Sequence, residues 1–326
     1  MSNSLFNYFS YYQWWKNIDK FILSLIITLL FFGLFFSLVS TSLIASDKLE
    51  TNSYFFFFKH LIFFLIGLIL IFIFSYIDKE NLYRSSVYIF CVSFFLLLLV
   101  PVIGVEIKGS KRWLDLFFLP RLQPIEIVKP FFVIILSLII SYEKLASFMI
   151  KFCFSLLLTL LIVMLLVIQP DLGQTLLISF SWLILIFISG INLIFLAFMA
   201  GAGISTLLYA VFYIPKFEYI KGRVQSFFNS ENATHNFQSD KALDSITSGG
   251  FFGKGIGEGT LKNKVPEAHT DYIISVISEE FGVVAIILIL LLFLIFIYMV
   301  FKKISIETND KIKLILTGSI CLILMQ

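Results

Sequence analysis

The ionisable side chains with a position suited to chemistry gather in three stretches. The first, Pro266-Glu267-Ala268-His269-Thr270-Asp271, comes just before a long apolar run that begins at Phe281. On a helix continuous with that run, Asp271 stands about 15 Å above its start at 1.5 Å per residue. That height is the edge of a bilayer headgroup region. Residue type alone also fits a plain helix N-terminal acid, which the dipole favours. The second stretch, VEIKGSKRWLDLFFLPRLQPIEIVKP at 105–130, holds Lys108, Lys111, Arg112 and Trp113, then Gln123, Pro124, Glu126 and Lys129. Pro124 reads as a first-turn proline. Glu126 is then well placed in the first turn, whereas Lys129 opposes the dipole. These two are three apart on one face, so an internal ion pair competes with anion binding. Lys108, Lys111 and Arg112 read either as anion contacts or as snorkelling residues. The third stretch is Gln169-Pro170-Asp171-Leu172-Gly173, where Asp171 is expected as the second residue of a new helix, in a structural role. Glu279 and Glu280 point about 100° apart on a helix, so at most one shares a cavity with Asp271. His269 has no paired partner among three histidines, so no metal site is expected.

The elements that must position these residues are membrane helices. The chain has 326 residues, 59% hydrophobic and 14% charged, with a mean hydropathy of +0.98. A soluble core does not hide that much apolar surface, but lipid does. Apolar runs place spans near 21–45, 55–76, 85–104, 126–142, 152–168, 172–189, 191–213 and 273–301. The fold expected is all-α, a single polytopic membrane domain over 1–326 with about eight complete spans and a partial ninth. Residues 314–325 are too few to span, and the chain reads as truncated there. A cytoplasmic N-terminus over 1–20 places an outer basic loop at 105–125 and a large periplasmic loop at 214–272. Ten basic residues on the inner side against six on the short outer loops favour this orientation. The basic residues left outside call for an anionic substrate. A net charge of +3 gives no reason to expect nucleic acid, and Cys91, Cys153 and Cys321 read as small hydrophobes in apolar runs. Six glycines between Gly249 and Gly259 match neither a Walker A loop nor G-x-G-x-x-G. They read as a flexible outer loop that lets backbone approach a sugar or diphosphate.

The wording of these stretches resembles the SEDS family of membrane glycosyltransferases (FtsW, RodA, SpoVE). The resemblance rests on GGFFGKGIGEGT followed by PEAHTDYI, on Lys111-Arg112-Trp113, on Gln123-Pro124-x-Glu126-x-x-Lys129 and on Gln169-Pro170-Asp171. It implies a ten-span bundle, of which the tenth span and a C-terminal Gly-Gly-Ser-Ser motif are missing here. It also implies polymerisation of lipid II into glycan chains, with undecaprenyl diphosphate as leaving group. Asp271 is then the catalytic general base, and a single displacement with inversion needs no second catalytic carboxylate. Lys111, Arg112, Trp113, Glu126, Lys129 and Lys108 become substrate-binding residues. Gln123, Pro124, Asp171, Pro266, Glu267, His269, Thr270 and Glu279 support them. No cofactor is implied beyond a divalent cation accompanying the diphosphate. The implied partners are lipid II, the nascent glycan, a class B penicillin-binding transpeptidase and other divisome proteins, at the septum of the bacterial inner membrane. Ala268 and Gly257-Glu258-Gly259 favour the division branch, FtsW, over RodA-like elongation. A lipid II flippase and a non-catalytic scaffold are the rival readings. The flippase is disfavoured because the span centres carry no ionisable residue.

Overall fold

The computed structural model describes residues 11–40, 54–107, 110–115, 121–142, 147–214, 221–222, 233–261, 265, 268 and 272–326. Among them are eleven helices and one two-stranded hairpin. In chain order the helices are α1 Tyr11–Asn17, α2 Lys20–Ser40, α3 Phe55–Tyr76, α4 Lys79–Ile103, α5 Pro124–Ile140, α6 Phe148–Ile168, α7 Leu172–Ile188, α8 Leu193–Tyr213, α9 Ala233–Ser248, α10 Ile273–Ile306 and α11 Asp310–Met325. Strands β1, Val105–Ile107, and β2, Ser110–Trp113, lie between α4 and α5.

Every apolar run read from the sequence is a helix. Six helices, α2, α3, α4, α6, α8 and α10, are long and apolar enough to cross a membrane. α5 and α7 have 17 residues each, about 25 Å at 1.5 Å per residue, which is short of a hydrocarbon layer of about 30 Å. These two short helices lie in the core of the bundle. Their buried faces hold Ile125, Val128, Phe132 and Leu136 on α5, and Ile178, Leu185 and Ile186 on α7. α3 and α8, by contrast, expose most of their apolar side chains, as a lipid-facing helix does.

The described residues form two compact units. One comprises Ile77–Ile204 and Val300–Gln326. Its core joins Phe90 and Leu97 of α4, Phe132 of α5, Ile162 and Leu166 of α6, Leu185 of α7 and Leu314 of α11. α11 is the segment that sequence alone left as an incomplete span. Asn309 caps it by accepting from the Lys311 and Ile312 amides, and it packs tightly on its neighbours. A Cβ on Gly318 would lie 2.5 Å from Val133 Cγ1 and 3.2 Å from Leu185 Cδ2, so only glycine allows this approach. The fold is all-α as expected, with one short two-stranded hairpin added. Glu106 pairs with Lys111 across it, and Leu114 and Leu122 then exchange backbone hydrogen bonds of 2.8 and 3.0 Å.

The other unit comprises the described residues of Tyr8–Tyr76 and Ser205–Met299. Trp14 lies on α1. It is buried, and its indole donates to Ser75 Oγ at 3.1 Å. Its neighbour Trp15 is exposed, with the Lys20 ammonium 5.2 Å from its ring centroid. In the same unit α10 is not the continuous helix expected. Gly282 breaks it with φ 75° and ψ −175°, a conformation open only to glycine. The straight helix from which a height of about 15 Å was derived is thus interrupted at Gly282, and Asp271 itself lies outside the described residues.

Candidate functional site

In the first unit an ionic cluster gathers at the end of the bundle where α4 leads into the hairpin. Pro124 begins α5 with Gln123 as N-cap, as the sequence indicates. Asp171 is the N-cap of α7 and not its second residue. Its Oδ1 accepts from the Gln174 amide at 3.5 Å, and its main-chain carbonyl accepts from Thr175 Oγ1 at 2.7 Å. Three further groups converge on this turn. The Arg112 guanidinium, carried by β2, donates to the Pro170 carbonyl and lies 3.6 Å from Asp171 Oδ2. Gln123 Nε2 donates to the same carboxylate at 3.4 Å. Burial pushes the Asp171 carboxyl above its ordinary range, against the opposing pull of Arg112 and the Gln174 amide.

Glu126 and Lys129 form the internal ion pair that their spacing allowed. Lys129 Nζ lies 2.6 Å from Glu126 Oε2, with the lysine side chain 3% exposed and the glutamate 40%. Gln174 Nε2 donates to Glu126 Oε1 at 2.9 Å. Gln174 is thus the residue that joins the α7 cap to the α5 ion pair. Sequence reading passed over it, although its place three residues after an acidic N-cap was the available signal. Lys111 and Trp113 sit on β2, where Lys111 is exposed and Trp113 partly buried. Among the described residues of this segment, the cations open to an anion are Lys111, which is exposed, and Arg112, about one-third exposed.

In the second unit the organising group is Glu279, buried at 0% exposure near the break in α10. The glycine-rich stretch wraps it. Lys254 N–H donates to the Glu279 carbonyl at 2.9 Å, and Gly255 N–H donates to that of Glu280 at 3.1 Å. Beyond the break, Val283 and Val284 donate to the Gly250 and Phe251 carbonyls at 3.0 and 3.3 Å. Gly253 has φ +77°, and a Cβ there would strike the Glu280 carbonyl. The close backbone approach expected for a sugar or diphosphate is made to α10 instead. Glu280, the next residue, is buried as well.

Lys108, Pro266, Glu267, His269, Thr270 and Asp271 lie outside the described residues. Within the described ones, no group of three or more His, Cys, Asp or Glu is placed to hold a metal ion.

These features define a multi-pass helical membrane protein with an ionic cluster built by a hairpin and two helix N-termini. The chain belongs to the FtsW, RodA and SpoVE family: the profile of that family, described as "Cell cycle protein", matches residues 20–326. Among its relatives, the probable peptidoglycan glycosyltransferase FtsW of Caulobacter vibrioides is 30% identical over 273 residues, covering 83% of this chain and 68% of the relative. The protein of the same name from Coxiella burnetii is 34% identical over 283 residues, covering 83% and 73%. Among solved structures, a chain of a peptidoglycan synthase complex superposes with a TM-score of 0.73 at 23% identity, covering 94% of this chain and 84% of that one. RodA of Thermus thermophilus gives 0.65 at 24% identity, covering 94% and 82%. At those identities the structural likeness speaks for the fold.

Proposed function

We propose that this chain is a peptidoglycan glycosyltransferase that joins lipid II disaccharides into glycan chains, releasing undecaprenyl diphosphate, during septal wall synthesis. The observation that carries the reading is convergence. Arg112 and Gln123 contact Asp171 directly, and Gln174 joins Glu126 to the same turn, in a protein of the FtsW family. The reaction calls for a base near the acceptor hydroxyl and cations near the leaving diphosphate. Asp271 takes the first role and accepts the proton of the sugar 4-hydroxyl as it attacks the anomeric carbon. Lys111 and Arg112 take the second, with Lys108 beside them. A divalent cation, where present, travels with the diphosphate. Lys129 is buried against Glu126 and serves the site from within, by holding the α5 N-terminus beside the α7 cap. The relatives' names favour the division branch. The proposed setting is the bacterial inner membrane, with the N-terminus inside, the 214–272 segment in the periplasm and a class B penicillin-binding transpeptidase as partner.

The test uses Asp271→Asn in the full-length protein with its transpeptidase partner. Asn keeps the shape but takes no proton. Glycan synthesis from purified lipid II is expected to fall about 10²–10⁴-fold, with lipid II binding retained. Polymerisation at the wild-type rate would end the assignment of Asp271 as base.

A further inference from the structure

Within the first unit, α4, α5 and α6 leave an apolar groove of about 560 Å³ between them. α5 supplies its floor with the half-buried Ile135 and Ile139. Val87 and Cys91 of α4 and Phe154 and Leu157 of α6 stand exposed along its walls. Among the described residues nothing charged lines it. The groove is separate from the ionic cluster, since Cys91 lies about 18 Å down α4 from the hairpin end at 1.5 Å per residue. α4 and α6 are both long and apolar enough to cross a membrane, so the medium beside the groove is hydrocarbon. Atoms that line an unfilled depression forfeit dispersion contacts, and a flexible lipid chain restores them.

Charge marks one end of this groove. Arg84 lies three residues before Val87 and seven before Cys91, and Lys151 lies three before Phe154. Each cation therefore heads the helix face that forms a wall, about 4.5 Å beyond its first apolar residue. α5 runs back between these two helix starts, so Tyr142, just past its end, brings a phenol to the same mouth. Arg84 is exposed and Lys151 half-buried. Neither makes an ion pair with a described residue, Glu80 one turn before Arg84 included. In the proposed orientation this is the cytoplasmic end of the unit, and the cytoplasmic leaflet carries anionic lipid.

We propose that the groove is a binding site for an anionic phospholipid, with an acyl chain along Val87, Cys91, Phe154 and Leu157 and the phosphate at Arg84 and Lys151. The test titrates the full-length protein in mild detergent with phosphatidylglycerol or phosphatidylcholine and counts bound lipid by native mass spectrometry. Phosphatidylglycerol is expected to bind at least about tenfold tighter, as two cations near an anionic headgroup allow. Arg84→Gln/Lys151→Gln leaves the walls intact and should bring the two lipids level. Cys91→Trp fills the groove and should lose the bound phosphatidylglycerol. Val102→Trp, at an exposed position of α4 outside the groove, should keep it. If Cys91→Trp does not fold, Leu157→Trp, at a more exposed point of the wall, is read in its place. Equal affinity for the two lipids in the wild-type protein overturns the proposal, because the contact is then ordinary bilayer solvation. Phosphatidylglycerol retained by both groove-filling variants also overturns it, since the lipid then sits elsewhere. So does a groove that takes no phosphatidylglycerol while Cys91→Trp abolishes co-purification of the transpeptidase, which would make it the seat of a partner helix.

Discussion

Gly253 offers a direct measure of how tightly the glycine-rich stretch grips α10. Gly253 and Gly257 both lie in the left-handed region, at φ +77° and +85°. An alanine at either position incurs the left-handed penalty of about 1–2 kcal/mol and gains the same small entropic benefit in the unfolded chain. Their surroundings differ. A Cβ on Gly257 meets nothing within 4 Å, whereas one on Gly253 strikes the Glu280 carbonyl and comes within 2.5 Å of the Phe281 nitrogen. These neighbours are backbone and cannot rotate aside. The turn must lift, taking with it the hydrogen bonds from Lys254 to Glu279 and from Gly255 to Glu280. At about 0.5–1.5 kcal/mol each, their loss adds about 1–3 kcal/mol. Gly253→Ala should therefore lose about 2–5 kcal/mol and Gly257→Ala only about 1–2. Thermal unfolding in matched detergent ranks the two, and amide exchange at Lys254 and Gly255 locates the damage. Two variants that melt together, with both amides still protected, would refute the reasoning.

Two further perturbations probe the ionic cluster. Glu126→Gln strands the buried Lys129 ammonium. Because the glutamate is 40% exposed, the cost falls between those of surface and buried pairs, at about 2 kcal/mol. Lys129→Met removes the buried charge and should melt closer to wild type, and equal melting shifts would count against the pair as drawn. For Asp171, the raised carboxyl pKa means that the folded state binds more protons than the unfolded one above the ordinary value of 3.8. Its contribution therefore disfavours folding as pH rises from 3.8 through the raised value, and the loss is complete above it. Asp171→Asn should flatten that part of a melting-temperature profile while keeping an acceptor for the Gln174 amide. A variant profile parallel to wild type would remove the burial argument.

Hydropathy was enough to place the helices, because lipid-facing and core-facing segments are both written in apolar residues. It could not separate the two kinds. α5 and α7 read as spans like the others, and their central place in the core depends on neighbours far away in sequence. The Glu126–Lys129 pair was legible because i,i+3 spacing is local. The reach of Arg112 to the turn before α7 was not, since a hairpin has to deliver the guanidinium to the Pro170 carbonyl across 58 residues. The break at Gly282 was hidden for a related reason. A glycine inside an apolar run looks harmless until its φ is known, and here that φ is held by carbonyls from the Gly250 turn. The glycine-rich stretch was recognised as a place of close backbone approach, but what approaches is the protein's own helix.

The break at Gly282 also bears on how the protein is made. A membrane helix normally starts with several amides that have no acceptor, and these are costly to bring near lipid. From Val283 onward, α10 does not depend on headgroups or water for all of them. The carbonyls that receive the Val283 and Val284 amides belong to Gly250 and Phe251, which leave the ribosome earlier. The acceptors are therefore synthesised before the donors that need them. The start of this helix and the turn that receives it therefore complete one another, and an error in either is expected to be felt first as failed biogenesis.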